Sequence, residues 1–174
     1  RRQLEREEIA EPSEIQKLGI PVILEGKNVL IIAPTGTGKT YAAILPVFDL
    51  FLSARSMEKP VGISILYVTP LRALNRDLLR RLSEIGKDLD IDVQVRHGDT
   101  VASVRAKQAK FPPDMLITTP ETLQAILPGK RMREHLKHVK WVVIDEIHEL
   151  ATDKRGTQLA VALERLRQLT GREF

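Results

Sequence analysis

Asn28-Val29-Leu30-Ile31-Ile32-Ala33-Pro34-Thr35-Gly36-Thr37-Gly38-Lys39-Thr40 is an apolar run that breaks into a glycine-rich turn and then into helical periodicity. The run 28–33 reads as a buried strand and the segment from Lys39 to Ala54 as a helix. A strand that turns sharply into a helix through glycines is where backbone N–H groups can converge on an anion. Glycines leave no Cβ in the way, and the helix N-terminus adds the positive end of its dipole. Thr35, Gly36, Thr37, Gly38, Lys39 and Thr40 therefore form a candidate phosphate cradle. Lys39 supplies a point charge for the β- and γ-phosphates of a nucleotide, and the Thr40 hydroxyl a ligand for Mg²⁺.

Outward from that stretch the same alternation recurs. Ser13 and Gln16, behind Pro12, are spaced as a capping box at the head of a helix. Ile63 to Val68 reads as a strand, and Leu71 to Ile85 as a helix striped by Leu71, Leu74, Leu78, Leu82 and Ile85. Ile91 to Arg96 is a short strand, and Val101 to Ala109 a helix with Thr100 as its N-cap. Asp114 to Thr118 is a strand, Glu121 to Leu127 a helix, Trp141 to Ile144 a strand and Thr157 to Leu169 a closing helix. Ser53 to Val61 and Pro128 to Arg131 read as surface loops. Strand and helix in alternation predict an α/β fold, a mostly parallel central sheet with helices on both faces.

A second acidic motif follows. Trp141-Val142-Val143-Ile144-Asp145-Glu146-Ile147-His148 sets two carboxylates at the carboxyl end of an apolar strand, the end where ligands collect on parallel sheets. Asp145 there can hold the Mg²⁺ of MgATP, and Glu146 can orient and deprotonate an attacking water.

Asp145-Glu146-Ile147-His148 is a DExH box, and with Ala33 to Thr40 it resembles motifs II and I of superfamily 2 helicases. Ala33 stands where the strict phosphate-loop pattern has its first glycine, a change common in that superfamily. Further matches fall in order. Pro12 to Gln16 resembles a Q motif, Thr69 to Leu74 motif Ia, His97-Gly98-Asp99 the turn after the third strand, and Thr119 to Leu123 motif Ib. The wording Pro70-Leu71-Arg72-Ala73-Leu74-Asn75, Arg96-His97-Gly98-Asp99-Thr100 and Asp145-Glu146-Ile147-His148-Glu149-Leu150 is most similar to the Lhr (large helicase-related) group.

The resemblance implies a RecA-like P-loop NTPase domain with ATP and Mg²⁺ as cofactors. Gln16 would read the adenine edge, and His148 would couple the ATP site to motif III. Pro70, Leu71, Arg72, Gly98, Thr119 and Pro120 would meet the sugar-phosphate backbone of single-stranded nucleic acid, DNA in preference to RNA. DNA repair would be the setting. Backbone contacts suit a motor that grips every sequence alike. On charge alone Arg72 also fits a solvated residue at a helix start, and His148 a polar neighbour with no coupling role.

Residues 1–174 are expected to be the first RecA-like domain, cut short at its C-terminus. The second, bearing the arginine finger, is expected as a partner from the same parent chain, so the piece alone should bind better than it hydrolyses. The opening Arg1-Arg2-Gln3 and the closing Gly171-Arg172-Glu173-Phe174 fit that expectation. A binding module without turnover and an unrelated P-loop enzyme are the other readings. The ordered motifs oppose the second of these.

Composition sets the remaining limits. With 43% hydrophobic and 29% charged residues, the chain has the balance of a folded domain rather than a disordered one. It has no cysteine, which excludes disulfides and thiolate metal sites. Its apolar runs are too short to span a bilayer, no export leader is visible, and the cytoplasm is the expected compartment. Lys and Arg number 27 against 23 Asp and Glu, a surplus too small to prove a polyanionic partner. His135 and His138 lack a third ligand at metal spacing and read as part of a solvent-facing basic helix. Trp141 reads as core or partner-facing rather than as a base-stacking platform.

Overall fold

A computed structural model describes residues 11–58, 60–70, 76–151 and 154–174. They divide after residue 58 into two compact units, each with its own architecture.

The first unit is a pair of helices joined through the glycine-rich turn. Helix α1 (Glu14–Leu24) starts behind Ser13, whose backbone N–H is accepted by the Gln16 side chain at 3.0 Å, as the capping box requires. Helix α2 (Lys39–Met57) starts behind Gly38 and buries Ala42, Ile44, Val47, Phe48 and Phe51. The two helices pack closely at Gly19: a Cβ there would lie 3.5 Å from Ile31 Cδ1 and 4.0 Å from Ala42 Cβ. Helix α2 runs through Ser53–Met57, so the loop expected from Ser53 onward begins only after the helix ends.

The run 28–33, which its composition predicts as a buried strand, has no strand assigned within this unit. An apolar run reports a tendency to be buried. Strand structure needs a neighbour for its N–H and C=O groups, and the first unit by itself offers this segment none.

The second unit is a parallel sheet of β1 (Ile65–Val68), β2 (Val93–Arg96), β3 (Met115–Thr118) and β4 (Trp141–Ile144), in the order β2-β3-β1-β4. Between them run α3 (Arg76–Asp88), α4 (Ala102–Lys110), α5 (Pro120–Ile126) and α6 (Lys130–Leu136); α7 (Ile147–Ala151) and α8 (Lys154–Thr170) follow β4. The step from β1 to β2 runs one way across the sheet, and the steps to β3 and β4 run back. Right-handed crossovers then put α3 on one face and α4 to α6 on the other. The core agrees. Leu66, Val68 and Leu116 bury against Leu123 and Ile126 of α5, Met132 and Leu136 of α6 and Leu159, Ala162 and Leu166 of α8, with no α3 residue among them. Ile65, Tyr67, Met115 and Ile117, on the opposite face of the same strands, are buried too. β1 and β3 are buried at every position and read as continuous apolar runs, while β2 and β4 are half-buried throughout.

Two local expectations fail here. Val101, not Thr100, is the N-cap of α4, because the Thr100 hydroxyl instead accepts from the His97 N–H at 2.9 Å and closes the turn after β2. Lys130 and Arg131 belong to α6 rather than to a loop. That helix is solvated on one side only: its basic residues face out while Met132 and Leu136 enter the core, and His135 Nε2 lies 3.0 Å from the Ala109 carbonyl. Among the described residues no helix is long and apolar enough to cross a membrane.

Candidate functional site

In the first unit the expected cradle is built by its glycines. Gly36 and Gly38 have φ of +79° and +89°, the left-handed region that side chains avoid. A Cβ at Gly38 would also lie 2.5 Å from Gln16 Nε2, so the Gln16 amide would have to move aside. Hydrogen bonds hold the loop's shape. Thr37 Oγ1 donates to the Pro34 carbonyl at 2.8 Å, and Ser13 Oγ donates to the Thr37 carbonyl at 2.9 Å. Gln16 Nε2 reaches the Gly38 carbonyl at 3.4 Å. The Lys39 ammonium donates to the Ala33 carbonyl at 2.6 Å and to Pro34 at 3.2 Å, which stations the positive charge at the loop itself. Thr35 is exposed, and Thr40 lies in the first turn of α2. Gln16 is 6% exposed and ties the head of α1 to the loop, a bracing role that spacing alone did not suggest.

In the second unit sheet register does the assembling. Val68 pairs with Thr118 and Ile144, and Thr118 with Arg96, so all four strands end on one row. The residues just beyond it are Thr69-Pro70, His97-Gly98, Thr119-Pro120 and Asp145-Glu146. Motif fragments scattered along the sequence thus share one edge. The Thr69 N–H donates to the Thr118 carbonyl at 3.0 Å and the Asp145 N–H to the Val68 carbonyl at 2.9 Å, extending the ladder into the loops. Thr119 caps α5, its hydroxyl accepting from the Thr122 N–H at 3.3 Å, and Pro120 takes the first helical position, where a missing N–H costs nothing. Leu71 and Arg72 lie outside the described residues.

Around Gly98 the backbone is open: a Cβ there would meet nothing within 4 Å. Arg105, which the sequence reading passed over, donates to the Gly98 carbonyl and so braces this turn from α4. Arg96 Nη1 reaches the Arg105 carbonyl at 3.3 Å. Burial, and then the charge of Arg105, lower the Arg96 pKa from its ordinary value. Two guanidiniums side by side make this end of the edge electropositive.

The acidic end is equally specific. Asp145 Oδ1 accepts from the Glu146 N–H at 2.9 Å, and Oδ2 accepts from the Tyr67 hydroxyl at 2.5 Å. Glu146 has φ of +50°, unusual for a residue with a side chain. Its carbonyl accepts from the Glu149 N–H at 2.9 Å to start α7, and its Oε2 lies 3.3 Å from His148 Nδ1. Strain of about 1–3 kcal/mol at such a position persists only where surrounding bonds hold it. Hard carboxylate and hydroxyl oxygens are the donors Mg²⁺ prefers, so Asp145 and Thr40 have the right chemistry for it.

These two constellations define a class. Residues 13–173 match the family model for DEAD/DEAH box helicases, and the chain belongs to that family. Within it, the chain is 42% identical over 171 residues to the ATP-dependent helicase Lhr-Core of Methanothermobacter thermautotrophicus, covering 91% of this chain and 20% of that protein. It is 39% identical to the Lhr helicase/uracil glycosylase of Escherichia coli, covering 90% of this chain and 11% of that one. The solved structure of Mycobacterium smegmatis helicase Lhr bound to ssDNA and AMP-PNP superposes with a TM-score of 0.80 at 40% identity, over 97% of this chain and 22% of that one. The DEAD-box helicase Mss116 bound to ssRNA and UDP-BeF shares the fold, with a TM-score of 0.82 at 24% identity over 95% of this chain and 34% of that one. The chain spans about a fifth of the length of the Lhr-Core relative.

Proposed function

We propose that residues 1–174 are the first RecA-like, ATP-binding domain of an Lhr-type ATP-dependent helicase, working with a second such domain of the same parent chain. The observation that carries this is the in-register row at the carboxyl edge of the sheet, which sets the DExH carboxylates beside three loops suited to a nucleic-acid backbone.

The glycine loop takes the phosphates of ATP, with Lys39 countering the charge of the β- and γ-groups and Thr40 offering its hydroxyl to Mg²⁺. Gln16 reads the adenine edge. Asp145 holds the metal, which when bound offsets the charge that builds on the phosphate oxygens. Glu146 takes the proton of the attacking water. His148, 3.3 Å from Glu146 through Nδ1, passes the state of this site onward. Pro70, Leu71, Arg72, Gly98, Thr119 and Pro120 engage phosphates and sugars without reading bases. Single-stranded DNA rather than RNA is the proposed track, as the ssDNA complex of Mycobacterium smegmatis Lhr supports; DNA repair as the setting and the cytoplasm as the compartment are carried over from the sequence reading alone. ATP turnover then drives translocation or strand separation.

An arginine finger from a second domain contributes about 10³–10⁵ in rate in phosphoryl-transfer enzymes, so this chain alone binds MgATP and hydrolyses it poorly. The test is steady-state ATP turnover by this chain and by its full-length parent, each with and without single-stranded DNA or RNA. Lys39→Ala should abolish nucleotide binding, and Glu146→Gln should abolish turnover while leaving binding intact. DNA-stimulated turnover confined to the parent supports the proposal. Nucleotide binding that survives Lys39→Ala overturns the assignment of the loop.

A further inference from the structure

We infer that Tyr67 is a positioning residue for Asp145, acting on metal binding through the orientation of that carboxylate; the inference rests on Asp145 being the metal-holding group. Tyr67 pairs with Val143 across the β1–β4 ladder, and Asp145 lies two residues beyond Val143, on the same face. A diagonal neighbour in a sheet is within reach of a long aromatic side chain. Tyr67 is 1% exposed, so its hydroxyl needs a partner inside the protein, and it donates to Asp145 Oδ2 at 2.5 Å.

With Oδ1 accepting from the Glu146 N–H, both oxygens are bonded and the carboxylate plane cannot turn. Each oxygen keeps a further lone pair for a metal or a metal-bound water. Tyr67 thus does for Asp145 what outer partners commonly do for metal ligands: it sets the ligand's angle before the metal arrives. Composition gave no hint of this, because a tyrosine in an apolar strand reads as core.

The experiment is a Mg²⁺ titration of this chain with a fluorescent, non-hydrolysable ATP analogue, reading the Mg²⁺ concentration at half-maximal binding. Tyr67→Phe, which keeps the ring and removes the hydroxyl, should raise that midpoint about tenfold. Asp145→Asn should raise it at least as much, and adding Tyr67→Phe to Asp145→Asn should change it by less than about twofold. Additive losses would mark a packing role and overturn the inference. So would an unmoved midpoint in Tyr67→Phe beside a shifted one in Asp145→Asn. An unmoved midpoint in Asp145→Asn itself overturns the metal assignment first, and the inference with it.

A second readout keeps the hydroxyl at position 67. The chain has two tyrosines, Tyr41 and Tyr67, so 3-fluorotyrosine labelling of a Tyr41→Phe chain isolates one ¹⁹F resonance. That resonance should move on Mg²⁺ addition in the presence of nucleotide, with the same midpoint as binding. A resonance that stays still through saturation overturns the inference.

Discussion

Gly38 shows how closely function can be written into a single residue. Its φ of +89° strains any side chain, and a Cβ placed there would push aside Gln16 Nε2, 2.5 Å away. Gly38→Ala should therefore destabilise the first unit by about 1–3 kcal/mol in denaturant unfolding. Nucleotide affinity should fall with it, because Gln16 can make room only by releasing the Gly38 carbonyl. A Gly38→Ala chain with unchanged unfolding and unchanged nucleotide affinity would remove the geometric reason for that glycine. Gly38, Lys39, Asp145 and Glu146 could be proposed from sequence because the chemistry proposed for them depends on spacing along the chain. Arg105 and Tyr67 were not, since their partners lie at Gly98 and Asp145.

At the scale of elements, α3 offers a test of charge. Asp77, in its first turn, bonds Arg81 and Arg80, and those bonds, Arg81 first, hold its carboxyl below the ordinary value of 3.8. A carboxyl whose folded pKa is depressed adds stability above its unfolded pKa and loses it as pH falls through the folded one. The difference in thermal stability between the native chain and Asp77→Asn should thus be constant near neutrality. It should shrink once the pH drops below about 4 and vanish at lower pH; a difference that grows on acidification would reverse the sign argued here. The site is solvent-exposed, so the effect should be small and weaker in salt. Element boundaries were less legible than element types. Thr100 lost the capping role to Val101 because its hydroxyl was taken by the His97 turn, and α6 went unrecognised as half-buried because basic residues hid Met132 and Leu136.

On the scale of the whole molecule, the second unit rests on one apolar layer between the sheet and α5, α6 and α8. Leu166 is fully buried in it, in contact with no solvent. Leu166→Ala should cost about 2–5 kcal/mol in chemical denaturation, the range for large-to-small changes in a core. Amide exchange in β1 and β3 should accelerate with it, since the layer covers one face of both strands. A cost under about 1 kcal/mol would mean the site relaxes far more than a close-packed core allows.

The sequence by itself determined the class of fold and the family, and it supplied the glycine loop and the Asp145-Glu146 pair on which the proposed function rests. These rest on periodicity and on residues within one turn or one strand of each other, and such interactions are local. The tertiary structure alone decided the strand order β2-β3-β1-β4, the register that lines four loops on one edge and the Tyr67–Asp145 bond across 78 residues. Each of those depends on which backbone finds which neighbour. Apolar runs of similar composition compete for that choice on nearly equal terms, and only the packing of the whole unit separates them.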